Sequence, residues 1–374
     1  MKTNPKPRIA ALAAAISAAL LCGAALAQQS GRSAPAEDLA AAVVDPDWVA
    51  PRTSWGHPSL EGTWSTDDMR SVPRSRPDNF GMRAKVTEQE FAERAARDND
   101  QRDNVVNEQT FSSRGEVGTR TFGYTSQIID PLDGRIPPMT AAGLARAAPR
   151  DRGTFGPGPF DGFDDFTLYD RCITRGILGS KFPVVYGNGL RIVQTPDSVA
   201  ISYEMIHDTR IIKLDGRSHL DDGIRQYLGN SRGHWEGDTL VVETRNLTDE
   251  TSIGANGNGT RHSAQMKLTE RFTRVDPEMI EYIARVEDPV TYTAPFTVRL
   301  MITTQPNYRI YEYSCHEGNG AINHSLSGER AYERRAAEAV AAGRPVPERI
   351  PSQSNLRLPD DPDSIEYIDI NAGE

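Results

Sequence analysis

The chain predicts a mainly β protein, an antiparallel up-and-down β-barrel with an N-terminal loop-and-helix wrapping segment and a C-terminal helix. From about residue 190 onward, LRIVQTP, VAISYEMIHD, TRIIKLDG, DTLVVETRNL, QMKLTERFTRVD, EMIEYIARVEDP, FTVRLMITTQ and YRIYEYSC are short runs rich in Val, Ile, Thr and Tyr, punctuated by Pro, Gly, Asp and Asn. Joins as short as PDS, VDPE and QPN favour antiparallel neighbours. A meander of about eight such strands closes most naturally into an up-and-down barrel, or else lies as a strongly bent sheet; an eight-stranded barrel is just wide enough to hold one small ligand, the alternative being an interior filled by side chains. No fixed-period repeat, dinucleotide-binding glycine pattern, P-loop or G-x-S-x-G elbow appears in the sequence.

Residues 1–27 read as a secretory signal peptide: Lys2, Lys6 and Arg8 precede an Ala-rich apolar run too short for a comfortable membrane span, followed by a small-x-small site at 25–27. Leu21 stands before Cys22, where a lipid-anchor signal needs a small residue. Residues 28–54 lack apolar periodicity and read as a flexible leader. Residues 55–185 form the wrapping segment. Within it Thr87 and Glu90 have capping-box spacing ahead of a surface helix, and Thr140 starts a short Ala-rich helix. Residues 186–330 form the barrel, and 331–374 a helix followed by a Pro-rich acidic tail.

Net charge is −10, and removal of three basic residues with the signal takes it to −13. An acidic surface disfavours nucleic acid, and no second apolar run is long enough to span a membrane. With the signal removed, Cys172 and Cys315 are the only cysteines. In an oxidising compartment they are expected to pair and close a long loop, a constraint worth roughly 4 to 5 kcal/mol in the chain-entropy model.

GHPSLEGTWS, DRCI at 170–173, IVQTPDSVAISYEMIHDTRIIKLDGRSHL at 192–220, SRGHWEGDTLVVET, RFTRVD and YEYSCHEGN together resemble a large family of secreted bacterial proteins, from Trp55 to about Arg330. The motifs define membership without naming a reaction. The second half is also similar to the lipocalin or calycin class, which includes carriers and a few hydratases and isomerases. That likeness implies a fold and no site.

Six of the seven histidines fall between His207 and His324. Histidine serves readily as acid, base or neutral metal ligand near pH 7. In AISYEMIHD, regular alternation would set Glu204 and Asp208 on one face and Tyr203 and His207 on the other, with Arg210 returning to the same end; this reads as an ion pair or a ligand-holding set. In LDGRSHLDD, Asp221 is placed to fix the imidazole tautomer of His219 at a barrel mouth, or both belong to a polar turn. SRGHWEGD precedes a strong strand, with Trp235 as an apolar plug beside His234, and Arg232 shares the parity of His234.

The last predicted strand puts Tyr311, Tyr313 and Cys315 on one face and Glu312, Ser314 and His316 on the other, so Glu312 with His316 is the preferred acid/base pair. His316, His219 and His234 are thus the candidate acid/base residues, and Glu312 and Asp221 orient them. Arg210 and Arg232 would hold a substrate oxyanion, with Glu204, His207, Trp235 and Tyr313 completing a ligand site. A metal set would need His207, His219, His234 and His316 with Glu317 or Asp208, but no supporting spacing is present, so no metal or other cofactor is expected. The expected function is binding of a small, partly apolar molecule, with cofactor-free acid/base chemistry of the lyase, hydratase or isomerase type. The alternatives are a non-catalytic carrier or envelope module, and a metal-dependent hydrolase acting on carbohydrate or ester.

Overall fold

A computed structural model describes residues 47–107, 120–147, 159–184, 186–254, 261–304 and 308–348. Contacts divide the chain into two compact units, 1–41 and 42–374, and every described residue belongs to the second. The expected signal peptide, most of the leader and the acidic tail lie outside the described residues.

The described part is a closed barrel of mixed sheet. Its strands are β1 (Gly62–Ser65), β2 (Ile128–Asp130), β3 (Gly189–Gln194), β4 (Ser198–Tyr203), β5 (Thr209–Lys213), β6 (Asn230–Glu236), β7 (Thr239–Arg245), β8 (Lys267–Asp276), β9 (Met279–Glu287) and β10 (Phe296–Thr303). Nine of them run in the order β1-β3-β4-β5-β6-β7-β8-β9-β10 and close through Ser65 opposite Thr303; β2 pairs with β10 on the same edge as β1. The helices are α1 (Glu88–Asn107), α2 (Ala141–Ala147) and α3 (Ala321–Ala341).

Register identifies the inner face. Trp64 lies opposite Leu190, Leu190 opposite Tyr203, Ile201 opposite Arg210, Ile212 beside Ser231, Ser231 opposite Thr244, Val242 opposite Glu270, and Phe272 opposite Tyr282. Because side chains alternate with period two, these residues and their i±2 neighbours all point inward. They are almost entirely buried. Most are Ile, Leu, Val or aromatic, so closing the sheet removes from water the apolar rows of every strand at once.

The structure corrects the expected strand list in four places. The sheet is not wholly antiparallel: β5 and β6 run parallel, joined by the long link 214–229, which leaves room for a crossover that a tight turn does not. Residues 62–65, expected in the wrapping segment, form β1 and close the barrel. The polar-looking NSRGHWE, not among the expected strands, is a full strand, β6, which the expected turn at Gly237 and Asp238 joins to β7. YRIYEYSC has no ladder, because the edge of β10 that it would need is already taken by β1 and β2.

Outside the barrel, α1 begins with the expected capping box: Glu90 N–H donates to Thr87 Oγ1 at 3.2 Å and Thr87 N–H to Glu90 Oε2 at 2.7 Å. Among the described residues no helix is long and apolar enough to cross a membrane. Cys172 and Cys315 form a disulfide with Cα atoms 5.7 Å apart.

Candidate functional site

Two polar constellations stand out, one sealed inside the barrel and one open at its rim. The sealed one centres on Glu270 of β8. Arg210 of β5 donates to its two oxygens at 3.0 and 2.5 Å, to Ser231 Oγ through Nε at 2.9 Å and to Thr244 Oγ1 at 2.7 Å. Tyr282 donates to Glu270 at 2.9 Å, and Lys181, from the turn ahead of β3, lies 3.4 Å from the same carboxylate and donates to Tyr203 at 2.8 Å. Burial alone would raise the carboxyl pKa, but the charges of Arg210 and Lys181 outweigh it and hold Glu270 at about 2. Phe272 packs on Tyr282, and Lys181 Nζ lies over the rings of Tyr203 and Tyr282. Glu270 and Lys181 are 0% exposed, so the lumen expected to hold a ligand is occupied by the protein's own side chains.

The open constellation is a groove of about 390 Å³ beside the disulfide, faced by Tyr169, Asp170, Glu312, Tyr313, Ser314 and Glu317. Two chain segments build it. In the first, Asp170 Oδ2 accepts from Thr167 N–H and Oγ1, and Asp170 N–H donates to Thr167 Oγ1; these bonds coil the turn leading to Cys172, which has φ +57°. In the second, residues 311–320 run without a ladder and are held at three points. The disulfide is one; His207 Nδ1, 3.2 Å from the Tyr313 carbonyl, is another; Asn319 Nδ2, donating to the Asp170 carbonyl at 3.0 Å, is the third. Gly318, at φ +73°, turns the chain towards α3.

Behind the groove the hydroxyls of Tyr169, Tyr186 and Tyr313 hydrogen-bond one another, and the rings of Tyr186 and Tyr313 stack at 6.3 Å. Burial and the neighbouring phenols raise the pKa of Tyr169 far above its usual range and that of Tyr313 to about 12, so both are neutral donors near pH 7. Arg175 is 2% exposed next to this cluster, and burial pushes its pKa down to about 10.

The sequence-predicted residues scatter between these places and the outer surface. Glu312 and Tyr313 face the groove, whereas His316 is exposed. Arg210 belongs to the sealed network, where every guanidinium nitrogen has a partner, so it is not open to a substrate. His219 is paired differently from expectation: Nε2 lies 3.1 Å from Glu243 and Nδ1 3.2 Å from Asn230, while Asp221 caps its own turn through Gly223 N–H. Strand pairing brings Asn230 and Glu243 to His219, a contact that loop spacing cannot show. His234 is exposed on the barrel exterior, 3.1 Å from Glu236. Arg232 donates to Asp215 at 3.0 Å and to Asn230 at 3.3 Å. The ring of Trp235, on the inner face, lies 5.4 Å from that of His57.

Glu204 is buried and accepts the Tyr308 hydroxyl. It does not share a regular strand with His207, because β4 stops at Tyr203 and Ile206 and His207 take φ +69° and +49°. Among the described residues no three His, Cys, Asp or Glu side chains gather to hold a metal ion.

Several structurally prominent residues carry little or no signal in the sequence. Glu270 carried a signal: it shares parity with Leu268 and Phe272, a charge on an otherwise apolar strand face. Lys181, Tyr169, Arg175 and Tyr186 carried none, since they lie outside the strand pattern. His262 is fully buried, its Nε2 hydrogen-bonded to Thr251 Oγ1 and its Nδ1 3.0 Å from the Ser263 carbonyl; burial lowers its pKa, and no groove is described there.

The fold and the groove define a closed mixed barrel with a filled lumen and a disulfide-bounded groove at its rim. No protein-family model matches the chain, and no curated protein matches it.

Proposed function

We propose that this protein is an exported, small-molecule-binding barrel whose ligand occupies the rim groove and not the lumen. The groove itself carries this reading: its volume of about 390 Å³ falls in the range typical of small-ligand sites, and it combines tyrosine faces with a few polar groups. The tyrosines favour a partly apolar ligand. Export is supported by the signal-like residues 1–27 and by a disulfide, which persists in oxidising compartments. The shared motifs fit membership of the secreted bacterial family that they resemble.

A thermal-shift screen of the chain without residues 1–27, against small aromatic and aliphatic compounds, tests the reading. Ligands should raise the melting midpoint of the unmodified protein and not that of Ser314→Trp, whose indole would fill the groove. Equal shifts in both would place the ligand elsewhere and defeat the proposal.

A second reading adds acid/base chemistry, favoured by the presence of Glu312 in the groove lining. Glu312 would be the base and His316, four residues on, its partner; a positioned pair of this kind contributes about 100- to 10,000-fold in rate. Turnover of a bound compound that is lost in Glu312→Gln or His316→Ala, with binding retained, would establish an enzyme. Binding without turnover would establish a carrier.

A further inference from the structure

We infer that the floor of the rim groove is an oxyanion subsite, where the hydroxyls of Tyr169, Tyr186 and Tyr313 and the charge of Arg175 receive the carboxylate of a small organic acid. This rests on the groove being the ligand site and names the chemistry of what enters it.

The two buried arginines of this fold make the argument. Arg210 is 2% exposed and spends its guanidinium on Glu270, Ser231 and Thr244. Arg175 is equally buried, yet its Nε and Nη2 have no hydrogen-bond partner among the described residues. Taking a guanidinium out of water without a counter-charge is among the costliest arrangements in a folded chain, and an orphaned buried donor calls for an explanation such as a ligand.

The groups acting on Arg175 are phenols: Tyr169, Tyr313 and Tyr186. A neutral phenol cannot balance the charge, but its O–H can donate to an anion. Tyr169 and Tyr313 belong both to the hydroxyl cluster and to the groove lining, so the cluster is where the groove meets the buried charge. Without a ligand the hydroxyls satisfy one another. A carboxylate placed among them would accept their protons instead and sit in the field of Arg175, which burial keeps poorly screened. Fixed donors converging beside a fixed positive charge are the general form of an oxyanion site.

The rim carries the opposite sign. Glu312 and Glu317 are exposed, where water and salt screen them. An acid would therefore lie with its carboxylate inward and its other end, best carrying hydroxyl or amine donors, towards these two side chains.

Calorimetry with three probes of one shape, phenylacetate, 2-phenylethanol and 2-phenylethylamine, tests the inference. The unmodified protein should bind phenylacetate at least about ten-fold more tightly than the alcohol, as expected for charge-assisted hydrogen bonds. Arg175→Met should abolish that preference while leaving the ligand-free melting midpoint unchanged or higher, because it removes a buried guanidinium whose Nε and Nη2 have no hydrogen-bond partner among the described residues. Should Arg175→Met fail to fold, Tyr313→Phe and Tyr169→Phe, which retain the rings, should weaken phenylacetate and leave 2-phenylethanol unaffected.

Equal affinity for all three probes, a preference for the amine, or a preference for phenylacetate that survives Arg175→Met would overturn the inference. Alcohol and amine binding that Ser314→Trp removes, with no preference for the acid, would leave the groove standing and eliminate only the oxyanion subsite. Acid preference that survives Ser314→Trp would instead refute the groove. No binding of any probe at millimolar concentration would overturn both.

Discussion

Glu270 on β8 receives both terminal nitrogens of Arg210 on β5, at 3.0 and 2.5 Å, across the inside of the barrel. The two strands are not neighbours, since β6 and β7 lie between them in the sheet. The pair therefore ties two non-adjacent parts of the wall through the lumen, and Lys181 adds the wrapping segment to the same carboxylate. One acid compensates two cations in a space without water access, so its loss weighs more than the loss of either cation.

Glu270→Gln is expected to destabilise the fold by about 3 to 5 kcal/mol, the usual cost of leaving a buried ion without its partner. Lys181→Met should cost clearly less, because the Arg210–Glu270 pair that remains is neutral overall. Urea unfolding of the two variants checks the order; a larger loss for Lys181→Met would show that the network is held together in another way.

Acid should expose the same carboxylate. Its pKa is depressed in the folded chain, to about 2, so its stabilisation is fully present above the unfolded value near 4.5 and is lost as pH falls from there towards 2. A shift of this size corresponds to about 3 kcal/mol. Melting midpoints followed from pH 6 to pH 2 should drop across that window, and the drop should be smaller in Glu270→Gln.

Reduction of the disulfide opens a link spanning 143 residues of sequence, for which the chain-entropy model gives about 5 kcal/mol. Dithiothreitol, or Cys172→Ser with Cys315→Ser, should lower the melting midpoint and also weaken any ligand that binds the groove, since Cys172 and Cys315 join its two walls. Peptide mass spectrometry without reductant should recover Cys172 linked to Cys315.

Gly143→Ala should destabilise although it lies inside α2, where Ala is the better helix former by about 1 kcal/mol. A Cβ at this position would stand 2.4 Å from the Thr291 carbonyl oxygen, a backbone atom that cannot swing aside. The overpacking cost, about 1 to 3 kcal/mol, outweighs the propensity gain. Thermal unfolding reads the sign directly.

Strand identity was legible wherever apolar residues alternated over a long enough run. Leu268, Phe272, Tyr282 and Leu300 announced β8, β9 and β10 through period two alone, because a half-buried strand must alternate. β1 was too short to show a period, and β6 hid behind Arg232, Gly233 and His234, whose polar atoms face outward or are absent. YRIYEYSC alternates as well as any strand, yet it has no ladder. Alternation reports fitness to pair, and pairing also requires a free edge.

The site divides in the same way. Glu312 and Tyr313 stood out because they end an aromatic run next to Cys315. Tyr169, Arg175 and Tyr186 did not, because more than a hundred residues separate them from Tyr313 and only the disulfide and the strand order bring them together. His219 was recognised as a residue with a partner, but the partner came from a strand 24 positions away and not from its own loop.

By itself the sequence determined the barrel, the capping of α1 and the pairing of the two cysteines, since each depends on local spacing or on how few candidates there are. Tertiary structure decided which carboxylate meets which cation, that the lumen is filled and that the open space lies at the rim. Those outcomes depend on closure, which selects one register among several compatible with the same alternation, and register sets which polar groups share a face and which are left without a partner.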